Sequence, residues 1–135
     1  MDTDGGLAEI MNRPDDGRMD TLATLTRRLL AFRDARDWAR FHSLKNLMLS
    51  LNLEAAELLE LAQWKSDAEV EAALADTAFK DRLAEECADI LNYLLLVCDR
   101  AGIDLGAAAD AKIDRNAVKY PIEKARGSAK KYTEL

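Results

Sequence analysis

The sequence predicts an all-α protein, and three observations carry that prediction. Apolar residues recur at three- and four-residue intervals through each long stretch. No segment alternates apolar and polar residues with the period of a strand, and capping residues stand between the stretches.

Residues 1–18 (MDTDGGLAEIMNRPDDGR) mix Gly, Pro and Asp without an apolar period and read as a flexible leader. From Met19 to Ala35, Leu22, Leu25, Leu29 and Phe32 recur at helical spacing, giving a first helix. A polar link, RDARDWARFH, follows. Ser43 is placed to cap a second helix running to about Lys65, which is apolar on most of its sides and so reads as buried among several neighbours. Ser66-Asp67-Ala68-Glu69 is a capping-box pattern that restarts the chain in a short helix to about Ala75. Asp76 or Thr77 then caps a long helix ending near Ala101, with Gly102 positioned to close it. Asp104 caps a further helix to about Lys119, which Tyr120-Pro121 stops. The last segment, PIEKARGSAKKYTEL, is basic and irregular. The expected organisation is a leader at 1–18, a helical domain at 19–120 and a basic tail at 121–135.

At 135 residues the chain is one domain, or a subunit whose core a partner completes. An apolar fraction of 49% and a charged fraction of 33% suit a soluble globular protein. No apolar run approaches a membrane span and no signal-peptide core opens the chain, so no membrane partner is expected. A net charge of −6 argues against a nucleic-acid polymer as partner, because phosphate backbones select basic surfaces. It leaves room for a nucleotide whose charge is met by bound metal. Cys87 and Cys98 lie on one helix, too far apart to bridge, and read as reduced core thiols of a cytoplasmic protein. With His42 alone and no CxxC, a zinc site is not expected.

The chemistry lies in two carboxylate pairs, Glu54 with Glu57 and Glu86 with Asp89. Each i, i+3 spacing sets both side chains on one helix face, about one turn apart. Leu47, Leu51, Leu58 and Leu61 surround the first pair; Phe79, Leu83, Ile90, Tyr93 and Val97 surround the second. Such faces turn inward, where an ionised carboxylate costs several kcal/mol unless a cation meets it. Packed antiparallel at ~8–10 Å between axes, the two helices would bring the pairs face to face around one or two hard divalent ions. That points to Mg²⁺, and through it to phosphate chemistry. A solvated acidic stripe is the plain alternative, but such a stripe has polar neighbours and these faces have leucines.

Other chemistries lack their parts: there is no GxxxxGK[ST] loop, no partner set for Ser-His-Asp catalysis and no Glu-x-x-His motif for a di-iron site. Trp38 and Trp64 fall at element ends near charged residues. Core packing is the usual job of such rings, and stacking on a base, worth about 1–3 kcal/mol, is the other. Tyr93 lies one turn beyond Asp89, towards the same cavity. Lys112, Asn116 and Lys119 share one face of their helix, which on pattern alone is either an ordinary wet surface or a contact surface.

From Leu25 to Leu135 the segments RDWARFH, NLMLSLNLEAAELLELAQWK, EECADILNYLLL, KIDRNAVKYP and KYTEL occur in an order that resembles the MazG-like all-α nucleoside triphosphate pyrophosphohydrolases, and within them the dCTP pyrophosphatase branch. The resemblance implies a MazG-like helical bundle, with hydrolysis between the α- and β-phosphates to a nucleoside monophosphate and pyrophosphate. It implies that Glu54, Glu57, Glu86 and Asp89 are the catalytic metal ligands, holding Mg²⁺. Trp38 and Trp64 would sandwich a pyrimidine, and Tyr93 would touch sugar or phosphate. Lys112, Asn116, Lys119 and Tyr120 would supply further phosphate and sugar contacts. It also implies a homotetramer, and the all-round apolarity of the second helix independently asks for self-association to a dimer or tetramer. Two positions depart from related patterns. Leu53 stands where the broader family pattern EExxE has an acid, as it does in the dCTP branch. Leu29 stands where eukaryotic-type relatives carry a base-contacting histidine. The function expected is Mg²⁺-dependent hydrolysis of dCTP and 5-modified dCTPs in nucleotide-pool sanitation. The alternatives are a broader (d)NTP or dUTP pyrophosphatase of the same fold, and a non-catalytic helical adaptor whose acidic face binds a basic partner.

Overall fold

Every regular element of the structure, a computed structural model that describes residues 21–135, is helical, and no strand occurs among the described residues. The all-α expectation stands. In chain order the elements are α1 (Leu22–Ala35), a 3₁₀ turn (Ala39–Phe41), α2 (Leu44–Glu60), α3 (Asp67–Ala73), α4 (Thr77–Ala101), α5 (Leu105–Lys119), α6 (Ile122–Ala125) and a 3₁₀ turn (Tyr132–Glu134). The leader read at 1–18 and a helix start at Met19 lie outside the described residues.

Caps decide where these helices begin. The side chains of Thr21, Ser43, Asp76 and Asp104 accept from the backbone N–H groups of Thr24, Asn46, Ala78 and Ala107 at 3.1, 3.1, 3.1 and 3.0 Å. Each satisfies an N–H that the helix itself leaves without a partner. The capping box before α3 closes in both directions: Glu69 N–H donates to Ser66 Oγ at 3.2 Å, and Ser66 N–H donates to Glu69 Oε2 at 2.6 Å. That backbone donation holds the Glu69 carboxyl below its ordinary value. Gly102, at φ +68, closes α4 in the left-handed conformation that costs a side chain most.

Two elements differ from the sequence reading. The second helix ends at Glu60 rather than near Lys65, because the N–H groups of Leu61, Ala62 and Gln63 bond to carbonyls three residues back and Trp64, at φ +65, leaves the helical path. The tail is not wholly irregular. Pro121, at φ −61, ends α5 and immediately starts α6, since a ring that cannot continue one helix suits the first turn of the next.

The chain divides into a unit through Gly102 and a unit from Ile103 to Leu135. In the first, α2 packs along α4, and α1 packs on α4. Lys65, past the end of α2, sets its ammonium 5.3 Å from the centroid of the Phe79 ring near the start of α4, while Glu57 meets Glu86 further along. Position falls on one helix as it rises on the other, so the pair is antiparallel. Leu47, Leu51, Glu54, Leu58 and Leu61 form one stripe, and Phe79, Leu83, Glu86, Ile90, Tyr93 and Val97 the other. Their alternating spacings of four and three are those of helices packed along their length, and every one of these residues is buried or half-buried. Leu95, Leu96 and Cys98 complete the core.

The opposite side of α2 is bare: Met48, Leu49, Leu53 and Leu59 are 51, 53, 63 and 70% exposed. Among the described residues, the all-round apolar helix is therefore covered on one side only. Both cysteines are free; Cys98 is the core thiol expected, but Cys87 is exposed. No helix among the described residues is long and apolar enough to cross a membrane.

Candidate functional site

Glu54 and Glu86 interrupt the two apolar stripes at facing positions of the α2–α4 seam. Glu57 and Asp89, three residues further along their helices, stand at the exposed margin. One carboxylate oxygen from each of Glu54, Glu57 and Glu86 lies within 4.8 Å of the others. Glu54 Oε2 and Glu86 Oε2 are buried and have no hydrogen-bond partner among the described residues. A buried acceptor without a donor costs what desolvation took from it. Two such acceptors facing one another cost more, since their charges repel.

The ionisation follows from that geometry. Burial pushes the Glu54 carboxyl above its ordinary value, and the adjacent Glu57 carboxyl and the charges of Asp89 and Glu86 push it further. Burial likewise raises Glu86, followed by the charges of Glu57, Asp89 and Glu85. Asp89 lies outside the three-oxygen cluster, although its charge acts on both buried members. An all-oxygen set with two unsatisfied acceptors fits a hard divalent cation, not a metal that selects imidazole or thiolate.

Of the other residues singled out in the sequence, Tyr93 is half-buried on the α4 stripe. Trp38 is 43% exposed, its ring edge-on to Phe32 at 5.7 Å, and the Arg36 guanidinium lies 3.5 Å from the Phe32 centroid. Trp64 is 93% exposed. Neither indole packs in the core formed by the described residues. The non-glycine residues with positive φ among those described are Asp37 and Trp64, one just before a tryptophan and one a tryptophan itself. Strain of that kind concentrates where a side chain is aimed for use. Phe32 and Arg36 escaped the sequence reading as a support for Trp38; their i, i+4 spacing on α1 was the available signal.

Lys112, Asn116, Lys119 and Tyr120 belong to the second unit, where all four are exposed. The Lys119 ammonium lies 5.0 Å from the centroid of the Tyr132 ring, and the Tyr120 ring meets Tyr132 edge-on at 6.1 Å. Tyr132 was not singled out in the sequence, because its neighbours are brought to it by a chain reversal. His42 is not part of the oxygen cluster. Its Nδ1 is buried without a partner among the described residues, and burial, then the Arg33 charge, lowers its pKa from the ordinary value.

The chain is similar to known proteins in sequence and in fold. A sequence model described as the MazG-like family matches residues 49–135. The chain is similar to dCTP pyrophosphatase 1 of Rattus norvegicus, 43% identical over 115 residues that span 85% of this chain and 68% of the relative. It is also similar to dCTP pyrophosphatase 1 of Homo sapiens, 41% identical over 115 residues with the same coverage. Among solved structures, a pyrophosphatase from Archaeoglobus fulgidus is similar with a TM-score of 0.67 and 39% identity, covering 80% of this chain and 99% of that one.

Proposed function

Since the chain belongs to the MazG-like family, we propose that it hydrolyses dCTP, and 5-modified dCTPs, to the nucleoside monophosphate and pyrophosphate in a Mg²⁺-dependent reaction. The observation that carries this reading is the meeting of Glu54, Glu57 and Glu86 oxygens within 4.8 Å on an apolar seam. These three, with Asp89, would hold Mg²⁺. When bound, Mg²⁺ supplies charge neutralisation for the triphosphate and a water of lowered pKa. A divalent cation would satisfy Glu54 Oε2 and Glu86 Oε2, the buried acceptors without a partner among the described residues. A water oxygen bonds to the α-phosphorus as the bond from that phosphorus to the bridging oxygen breaks; pyrophosphate leaves with that electron pair, and the water's proton passes to solvent.

Trp38 and Trp64 stack on the pyrimidine, and Tyr93 contacts sugar or phosphate. Lys112, Asn116, Lys119 and Tyr120 contribute phosphate and sugar contacts that bind the nucleotide. The bare side of α2 is the surface through which the chain assembles as a dimer or tetramer. Its place is the cytoplasm, where it clears unwanted nucleotides from the pool.

Leu29 favours a second reading of the same fold, a broader (d)NTP or dUTP pyrophosphatase, because a leucine cannot read a base edge by hydrogen bonding. Incubation of the purified protein with each dNTP and Mg²⁺, with pyrophosphate and orthophosphate quantified, separates the two. Pyrophosphate from dCTP and its 5-modified forms alone supports the first reading, and pyrophosphate from every nucleotide supports the second. No product from any nucleotide, with a melting temperature unmoved by Mg²⁺ and a non-hydrolysable analogue, overturns both in favour of the adaptor.

A further inference from the structure

The second unit holds a contact that the reaction scheme above does not use. Past α6 the chain reverses at Gly127, whose φ of +73 is open to glycine and strained for other residues, with nothing near the place a Cβ would take. Ser128 N–H donates to the Ala125 carbonyl at 3.0 Å, Lys130 N–H to Ser128 Oγ at 3.3 Å and Glu134 N–H to the Lys131 carbonyl at 2.8 Å. This bonded path returns Tyr132 to the end of α5. There its ring takes the Lys119 ammonium 5.0 Å from its centroid and the Tyr120 ring edge-on at 6.1 Å, with an interplanar angle of 79°. One exposed ring thus restrains two consecutive side chains. A lysine ammonium on a four-carbon stem samples many positions in water, and a cation–π contact removes most of them.

We propose that Tyr132 is a positioning residue: it holds the Lys119 ammonium and the Tyr120 ring in the orientation that receives the nucleotide. The proposal rests on the reading that Lys119 and Tyr120 contact substrate. Tyr132 itself touches no reacting atom. Pre-ordering those groups lowers the entropy lost on binding, so the effect falls on KM and leaves kcat alone. The aromatic ring carries the whole effect, because both contacts use its face or edge and neither uses the hydroxyl.

The test is steady-state hydrolysis of dCTP by the full chain bearing Tyr132→Ala or Tyr132→Phe. Each is measured alone and in a background carrying Lys119→Ala with Tyr120→Ala. Tyr132→Ala is expected to raise KM about 5- to 70-fold, the size of one cation–π and one ring–ring contact, with kcat within about 2-fold. Tyr132→Phe is expected to restore wild-type KM. In the double-substituted background, Tyr132→Ala is expected to add nothing, since its targets are gone. The full KM increase persisting in that background, a failure of Tyr132→Phe to rescue, or an unchanged KM for Tyr132→Ala overturns the proposal. A fall in KM also overturns it, because the ring would then compete with substrate. The underlying reading fails separately, if Lys119→Ala with Tyr120→Ala leaves KM at the wild-type value.

Discussion

Replacing Leu53 and Leu59 together by alanine should weaken self-association by orders of magnitude while sparing the helix. Leu53 is 63% and Leu59 70% exposed in the single chain, on the side of α2 turned away from α4. Burying a whole leucine side chain is worth about 1.5–3 kcal/mol, so the exposed two-thirds of each offers roughly 1–2 kcal/mol to an interface. Two such residues offer roughly 2–4 kcal/mol per protomer, and a two-fold contact counts them twice. Alanine keeps a fraction of that area, and the expected loss is about 3–6 kcal/mol per dimer, or two to four decades in the dissociation constant. Alanine is also the best helix former, so circular dichroism of the variant should match the wild type. The assay is light scattering coupled to size exclusion across a dilution series, with dCTP hydrolysis followed in the same samples. Wild-type protein should stay assembled where the variant is monomeric, and turnover should fall with assembly. A variant with the wild-type mass at every concentration refutes the assignment of this face.

Glu57→Gln should remove turnover and leave the helical signal intact, because its side chain stands at the exposed edge of the cluster and the amide keeps its size; wild-type turnover in that variant would refute the ligand set. The raised Glu54 and Glu86 carboxyls fix a pH dependence. With folded values above the unfolded ones, the metal-free protein binds more protons folded than unfolded, so their contribution is full below the ordinary carboxylate value and is lost as pH rises through the raised range. Mg²⁺ competes with those same protons, so the rise in melting temperature it causes should grow from mildly acidic to neutral pH; thermal melts with and without Mg²⁺ check it, and a Mg²⁺ shift that is flat with pH refutes it. Leu47→Ala, at a position 2% exposed on the α2–α4 seam, should cost about 2–5 kcal/mol in chemical denaturation, whereas under about 1 kcal/mol would mean that the seam is loosely packed.

The helices were legible because their signals are local. Ser43, Asp76 and Asp104 cap where their side chains reach an N–H two or three residues on, and that geometry needs no information from elsewhere in the fold. Gly102 is legible on the same ground. The end of α2 was not, because LAQWK continues a helical pattern while the chain departs at a left-handed Trp64 that propensity disfavours. The exposure of Cys87 was also hidden. An amphipathic helix as long as α4 offers faces to α2, to α1 and to solvent, and the apolar count alone does not say which face a small thiol takes.

The candidate site shows where local periodicity stops being enough. Each stripe continues four residues on from Glu54 and Glu86, at Leu58 and Ile90, so their i, i+3 partners Glu57 and Asp89 fall beside the seam. The apolar stripes, read with their four-and-three spacing, select Glu54 and Glu86 for the inside and leave Glu57 and Asp89 at the margin. The burial of Glu54 Oε2 and Glu86 Oε2 follows that division. Which marginal carboxylate joins the buried pair depends on how far α2 and α4 slide and rotate against each other. Glu57 reaches the pair and Asp89 acts on it through its charge alone. A hard divalent cation takes more oxygen ligands than the three that already meet, and Asp89, whose charge already acts on Glu54 and Glu86, is the exposed carboxylate that would supply the next.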